Sequence, residues 1–171
     1  MSMLQTAGET IELRPYGPGD RDWLVRQHAE LYARDEGFDD SFGPLVESIL
    51  RDFEAKHDPV RERGWIAWEG GDRLGSIFCV DAGRREGQAL AKLRLFLLLP
   101  EARGRGLGQR LLGACMGFAR NVGYTRMTLW THESHRAACA LYAKNGFSLV
   151  SSVPVTSFGV ALVEQHWERA I

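Results

Sequence analysis

Pro100-Glu101-Ala102-Arg103-Gly104-Arg105-Gly106-Leu107-Gly108-Gln109-Arg110-Leu111-Leu112 decides the reading of this chain, because it carries the sequence from an apolar strand through a glycine-spaced basic turn into an amphipathic helix. Residues 89–99 read as the strand, and the unbroken apolar run from Leu95 to Leu99 is of the kind expected where both faces of a strand are covered. Pro100 ends it. Gly104, Gly106 and Gly108 are expected to turn the chain with positive φ and to let backbone N–H groups approach an anion without interference from a Cβ. Those groups would lie at the positive end of the following helix, where unsatisfied donors and the macrodipole together stabilise a pyrophosphate. Arg103, Arg105 and Arg110 add positive charge at a helix end that disfavours cations unless an anion sits there.

The turn is not a P-loop, since no Gly-Lys-Ser or Gly-Lys-Thr closes it, and the lysine and magnesium-binding hydroxyl of a nucleoside triphosphatase are missing. Nor is it a dinucleotide fingerprint: the first strand-turn-helix lies far into the chain, and no βαβ unit with a ribose-binding acid follows. On its own, so short a glycine pattern is also what a solvent-exposed turn presents. A second segment adds to it. Met127-Thr128-Leu129-Trp130-Thr131 alternates like a strand, and Ala138, Leu141, Tyr142 and Asn145-Gly146-Phe147 follow at helical spacing.

The pattern Arg103-x-x-Gly106-x-Gly108 resembles the acyl-CoA loop of the Gcn5-related N-acetyltransferase (GNAT) superfamily. The run Ala138-Cys139-Ala140-Leu141-Tyr142-Ala143-Lys144-Asn145-Gly146-Phe147 resembles the Ala-x-x-Leu-Tyr helix and Gly-Phe ending that follow in the same superfamily. Further stretches, at 26–32, 61–67 and 157–163, look like the acetyltransferase domains that elsewhere follow a winged-helix MarR-type regulator. The chain is accordingly read as one acetyltransferase domain over 1–171.

The resemblance implies an α/β fold, a mixed sheet splayed at its centre and flanked by helices, and an acetyl-CoA-dependent N-acetyltransferase acting on an amine of a small molecule or peptide. It implies that Arg103, Gly104, Arg105, Gly106, Leu107, Gly108 and Gln109 hold the pyrophosphate of acetyl-CoA. The backbone of Phe96, Leu97 and Leu98 would bond the pantetheine arm and polarise the thioester. Tyr142 would be the general acid for the departing thiolate, and it is also the residue type that packs a short helix onto a core. His135 stands where many members carry an asparagine that contacts the cofactor, and a helix-capping or surface role is equally open to it. Trp130 occupies a position where some members place a catalytic glutamate. The base is left among Glu133, His132, Glu30 and Asp81, or a water-mediated route. Glu30 and His28 lie on the first helix, which in the family walls the acceptor site together with the second. A homodimer through the last strands is a further implication of the family; no metal is expected.

Composition bounds the alternatives. At 171 residues and 44% hydrophobic, the chain has the apolar surface for one core, and a net charge of −1 gives no global field to recruit nucleic acid or an anionic membrane. An RNA-binding reading of the Arg-Gly-Arg-Gly turn lacks a basic face. A catalytically silent acyl-CoA-binding module that senses or regulates is the other functional class, and the absent strand glutamate permits it. Cys79, Cys115 and Cys139 show no C-x-x-C spacing and read as small buried hydrophobes in a reducing compartment. The polar Met1 to Thr10 stretch lacks the pattern of a secretory signal, and no segment approaches the roughly 18 apolar residues of a membrane span, so a cytoplasmic location is expected.

Along the chain, the expected order is a strand near 10–14, a helix through about Ala33 and a second helix with an apolar stripe of Leu45, Val46, Ile49, Leu50 and Phe53. Strands near 64–68 and 73–81 are joined by a turn at Glu69-Gly70-Gly71-Asp72, followed by the 89–99 strand, a helix over 107–122, a strand at 127–131, a helix at 135–145 and strands near 147–153 and 160–168. Gly113 and Gly117, four apart on the third helix, are expected to allow close packing on the sheet. Trp65, Trp68, Trp130, Phe38 and Phe42 are candidates both for core and for apolar walls of an acceptor site.

Overall fold

The computed structural model describes residues 10–171. The polar stretch before Thr10 lies outside the described residues. The elements follow the expected order: β1 (Ile11–Pro15), α1 (Arg21–Glu36), α2 (Phe42–Lys56), β2 (Arg63–Glu69), β3 (Asp72–Arg85), β4 (Gln88–Leu98), α3 (Leu107–Asn121), β5 (Arg126–His132), α4 (Arg136–Lys144), β6 (Ser148–Ser157) and β7 (Val160–Ala170). The strands form one mixed seven-stranded sheet in the order β1-β2-β3-β4-β5-β7-β6, so the fold is mixed α/β.

Side-chain alternation in the strands divides the core into two layers. On one face α3 and α4 cover Trp65, Ala67, Ile77, Cys79, Leu93, Met127 and Leu129, using Leu107, Leu111, Leu112, Cys115 and Ala119. On the other, Leu24 and Leu31 of α1 and Val46 and Leu50 of α2 cover Ile66, Phe78, Leu97 and Leu99. Helix α1 ends at Gly37 in the left-handed conformation and α3 is followed by Gly123 at φ +97°, both stops that a side chain would strain.

The centre of the sheet departs from regular pairing. β4 and β5 run parallel but pair only at Leu90, Ala91 and Lys92 against Arg126, Met127 and Thr128. Beyond Lys92 the two strands separate. On its other side β4 stays paired with β3, but the register shifts so that the step from Arg94 to Leu97 spans only Phe78 to Ser76. The extra residue is taken up as a bulge at Leu95, whose φ is +51°, and the Ser76 hydroxyl donates to the Leu95 carbonyl at 2.7 Å.

Several expectations change accordingly. Leu95, Phe96 and Leu98 are half-buried, because the separation from β5 uncovers the outer edge of β4 over the stretch whose apolar run predicts full cover. Leu45 is 43% exposed, on the outward side of a turn of α2 whose Val46 packs in the core. Gly113 and Gly117 have open space where a Cβ would stand, so they do not mediate close packing. Cys79 and Cys115 are buried, but Cys139 is only half-buried near the start of α4.

One buried group makes stability pH-dependent. The His28 ring is 2% exposed and stacks on Tyr32; its Nδ1 donates to the Leu24 carbonyl at 2.8 Å, while Nε2 has no partner. Burial lowers its pKa from the usual 6.5 to about 4. Between those values the unfolded chain binds a proton that the native state refuses, so this contribution to stability falls as pH drops below 6.5, at up to about 1.4 kcal/mol per pH unit. His28→Phe, which keeps a ring against Tyr32, is expected to flatten that slope; urea midpoints at pH 7 and pH 5 measure it.

Candidate active site

The separation of β4 from β5 opens a cleft of about 470 Å³, lined on its strand side by Phe96, Leu97 and Leu98 and on its helix sides by Tyr32 and Asp35 of α1 and by Ala138 and Leu141 of α4. At its mouth lies the glycine turn. Pro100 to Ala102 form a single 3₁₀ turn, after which Gly104 and Gly106 both adopt φ +75°, with open space around each. Gly106 caps α3 in the left-handed conformation, and the first intrahelical bond runs from the Arg110 N–H to the Gly106 carbonyl at 3.1 Å. The Leu107, Gly108 and Gln109 N–H groups therefore have no carbonyl within the helix, and they point out of its N-terminus beside the cleft.

Gly108 corrects the expectation that all three glycines turn with positive φ. It sits in the first turn of the helix with ordinary backbone angles, and it is small for another reason: a Cβ there would stand 3.2 Å from Leu98 Cδ1 and 3.4 Å from Leu141 Cδ2. It lets the helix N-terminus approach β4 and α4 closely.

The polar side chains of the turn are largely committed within the protein. Arg105 forms a bidentate ion pair with Glu69, holding that carboxyl below its usual range, and Arg110 donates to the Ile11 carbonyl at 2.5 Å. Gln109 and Asn145 exchange two amide hydrogen bonds at 2.8 and 2.9 Å, tying the start of α3 to the end of α4. Arg103, with a 3.6 Å contact to Asp35, is the arginine of the turn that lines the cleft.

Tyr142 is buried, packed against Phe96, Phe147 and Trp167 at ring distances of 6.3, 5.7 and 6.5 Å. Its hydroxyl is kept protonated at neutral pH, first by burial and then by the proximity of Tyr32, a cleft residue, and Cys139. Tyr32 is itself pushed up to about 12 by burial and by the charge of Glu36.

His135 occupies the N-cap position of α4 on the wall of the cleft, without a side-chain capping bond. Its Nε2 stands 3.2 Å from Glu36 Oε1 and its Nδ1 3.3 Å from Thr131 Oγ1, so both ring nitrogens are engaged. Burial lowers its pKa, only partly offset by Glu36. His132 lies beside it, 5.5 Å between rings, with Phe38 edge-on at 5.8 Å; its Nδ1 is buried without a partner, and burial holds its pKa below the usual 6.5.

The other expected base candidates are not brought to this place. Glu30 is exposed on α1, Glu133 is exposed in the turn after β5, and Asp81 is exposed on β3 beside Arg61 at 3.8 Å. Trp130 is 48% exposed and stacks flat on His166 at 4.2 Å. Phe38 and Phe42 form an aromatic cluster with Phe158 that ties the α1–α2 connection to the β6–β7 turn, whereas Trp65 is core under Phe118. Sequence reasoning missed Asp35 and Glu36; their place on the last turn of a helix already assigned to the acceptor wall was the available signal.

The family model described as the acetyltransferase (GNAT) family matches residues 23–147. The chain belongs to that family. Mycothiol acetyltransferase from Geodermatophilus obscurus is 28% identical over 144 residues, which cover 82% of this chain and 45% of that protein, so the chain spans less than half of that relative's length. Among solved structures, yncA from Salmonella typhimurium, a putative acetyltransferase determined with its cofactor acetyl-CoA, superposes with a TM-score of 0.71 at 18% identity, covering 94% of this chain and 93% of its own. Arabidopsis thaliana NAA60, determined in complex with a bisubstrate analogue, gives 0.75 at 15% identity, over 94% and 98% of the two chains. At those identities the likeness is one of fold. Within the described residues of this GNAT chain, no helix is long and apolar enough to cross a membrane, and no group of metal-ligating side chains occurs.

Two glycines, one capping α3 and one within it, separate conformational need from mere tolerance. Gly106→Ala places a side chain at φ +75° and is expected to destabilise the fold by about 1–2 kcal/mol. Gly113→Ala, with open space around it in the helix interior, is expected to stabilise by about 0.5–1 kcal/mol. Chemical denaturation of both variants decides the matter; equal shifts would remove the special role of Gly106.

Proposed function

We propose that the chain is an acetyl-CoA-dependent N-acetyltransferase acting on the amine of a small molecule or peptide, as one acetyltransferase unit over 1–171. The observation that carries this reading is the conjunction of two features at one cleft: unpartnered N–H groups of Leu107, Gly108 and Gln109 at the mouth, and the uncovered edge of β4 at Phe96 to Leu98 within. The first suits a pyrophosphate and the second an amide-bearing arm laid beside the strand. In yncA the bound cofactor is acetyl-CoA, which supports the same ligand here. The resemblance to domains that follow MarR-type regulators, a cytoplasmic location and a homodimer belong to this proposal. The dimer is supported by β6, an edge strand without charged residues that exposes Leu149, Val150 and Val153.

In the proposed reaction the acceptor nitrogen attacks the thioester carbonyl, the new C–N bond forms as the C–S bond breaks, and the departing thiolate needs a proton. Tyr142 is assigned that proton from its place in the Ala-x-x-Leu-Tyr helix, where it packs against the cleft residue Phe96 at 6.3 Å between rings. The proton lost by the amine goes to His132, the one of the four base candidates that is half-buried beside the cleft residue His135.

Calorimetric titration with acetyl-CoA, together with CoA release over an amine panel, tests the whole. Gly108→Glu puts bulk against Leu98 and negative charge at the anion's place, and is expected to abolish binding. Tyr142→Phe is expected to bind normally but turn over slower by on the order of 10²-fold. Binding without turnover of any amine would favour the silent acyl-CoA-binding module instead.

The base has its own signature. Because burial lowers the His132 pKa, the ring is neutral and able to accept a proton above that value, so kcat/KM should fall as pH drops below the usual 6.5. The limb should keep its position for acceptors of different basicity and vanish in His132→Gln. A limb that instead tracks each acceptor's own pKa would assign the proton to water.

A further inference from the structure

Opposite the layer covered by α3 and α4, β4 carries two cations that the reaction above does not use. Lys92 and Arg94 are opposite Val80 and Phe78 of β3, so they project to the α1–α2 face, and both are half-buried. Arg94 has no hydrogen bond, ion pair or aromatic face to rest on among the described residues. Lys92 has only the ring of Trp130, with its Nζ 4.9 Å from the ring centroid. The opposing charge that acts on Lys92 is that of the exposed Glu164, which makes no ion pair with it among the described residues.

Other charges around these two cations are paired. Arg85 and Arg126 both take Glu168, at 2.7 and 3.1 Å. Arg94 lines a second cleft of about 370 Å³ whose carboxylates are likewise engaged. Glu62 accepts the backbone N–H groups of Asp58 and Asp81, Asp81 accepts that of Gly83, and Asp52 contacts Lys56 at 3.6 Å. A half-buried guanidinium without a partner is an expensive arrangement for a fold to retain, and burial lowers the pKa of both cations. The cost is offset when an anion binds.

Position says which anion. Arg94 directly precedes the bulge residue Leu95, which lines the same second cleft, and the next residue, Phe96, lines the first. At roughly 3.3 Å per residue, Arg94 lies within about 7 Å of the strand segment where the thioester would be polarised. Lys92 and Arg94 precede the bulge, whereas the glycine turn follows the C-terminal end of β4, so the cofactor's phosphates belong elsewhere.

We infer that Lys92, Arg94 and Trp130 form an acceptor-recognition site for a carboxylate, and that the substrate class is a small amine carrying a free carboxylate. The inference rests on the acetyltransferase reading for the identity of the bound molecule as acceptor. Arg94 supplies a planar donor pair that matches a carboxylate, Lys92 a second charge, and the exposed Trp130 ring a platform for the spacer between carboxylate and amine.

The test uses binding first, with the product pair of CoA and N-acetyl-4-aminobutyrate, compared with the carboxamide of the same compound, followed by calorimetry. The acid is expected to bind at least about tenfold tighter than the carboxamide, as a charge-assisted hydrogen bond predicts. Arg94→Met should erase that ratio and Arg94→Lys retain part of it, with circular dichroism confirming the fold of each. Equal binding of acid and carboxamide, no binding of either, or an unchanged ratio in folded Arg94→Met would overturn the site. Steady-state rates for free amino acids and dipeptides, each against its amide and corrected for the neutral-amine fraction, then distinguish a free amino acid from a peptide C-terminus. Acid-selective binding without turnover of any acceptor would leave the carboxylate site standing and sink the acetyltransferase reading, whereas acetyl-CoA-dependent turnover that ignores the carboxylate would do the reverse.

Discussion

The extra residue that β4 accommodates at Leu95 is the constraint on which the site depends. A leucine at φ +51° is held in a region that side chains avoid, at a cost of about 1–3 kcal/mol, and such a conformation persists only where its surroundings over-determine it. Here the β3 ladder fixes the strand on both sides of the bulge and the Ser76 hydroxyl captures the displaced carbonyl. The bulge also shifts the alternation of the strand by one. Before it, Lys92 and Arg94 face α1 and α2; after it, Leu95, Leu97 and Leu99 pack on that side while Phe96 and Leu98 turn toward α3 and α4. The same strand can thus present charge on one face and, a residue later, an apolar lane and a free edge to the cleft.

A second constraint fixes the far wall. Phe38 stacks on Phe158 at 4.8 Å, Phe42 meets both, and the Asp39 N–H donates to the Phe158 carbonyl at 2.9 Å. The β6–β7 turn is thereby pinned to the α1–α2 connection although more than a hundred residues separate them in the chain. A side chain at Gly159 is disfavoured, since its φ is +77° and a Cβ would stand 3.0 Å from Asp39 Oδ2. Tyr32 and His135 extend the same cluster to the cleft, at 5.1 Å between rings. Aromatic contacts of this kind preorganise a wall, so less ordering remains to be done when a ligand arrives.

The fold was legible in the chain because its periodicities are clean: the apolar stripes of α2 and α3, the Glu69 to Asp72 turn and the glycine turn after Pro100 each carry a local physical signal. Tyr142 was legible as a residue of interest but not as one buried behind Phe96, since helical spacing reports a face and not a depth. The separation of β4 from β5 was hidden by Leu95 to Leu99, where five apolar residues in a row erase the alternation that would reveal a bulge. Just before it, Ala91, Lys92, Leu93 and Arg94 do alternate, and two cations on one face of a central strand were the trace left in the sequence. The partners of Arg105, Gln109 and His135 lie 36, 36 and 99 residues away, and no local pattern announces them.

Burial acts on the two proton-handling groups of the proposed reaction in opposite chemical senses and to the same end. It penalises whichever form is charged, so the Tyr142 pKa rises and the His132 pKa falls. A neutral phenol can donate and a neutral imidazole can accept, so both groups hold the form the proposed reaction needs at one pH, while the same burial makes the phenol a weaker acid and the imidazole a weaker base. That bears on Trp130, where a glutamate would be the simpler base. A carboxylate at that position would stand beside Lys92 and pair with it, since only the Trp130 ring now covers that ammonium. An aromatic ring there leaves the charge of Lys92 without an ion-pair partner, which the proposed carboxylate site requires, and is consistent with the proposed placement of the proton transfer on His132.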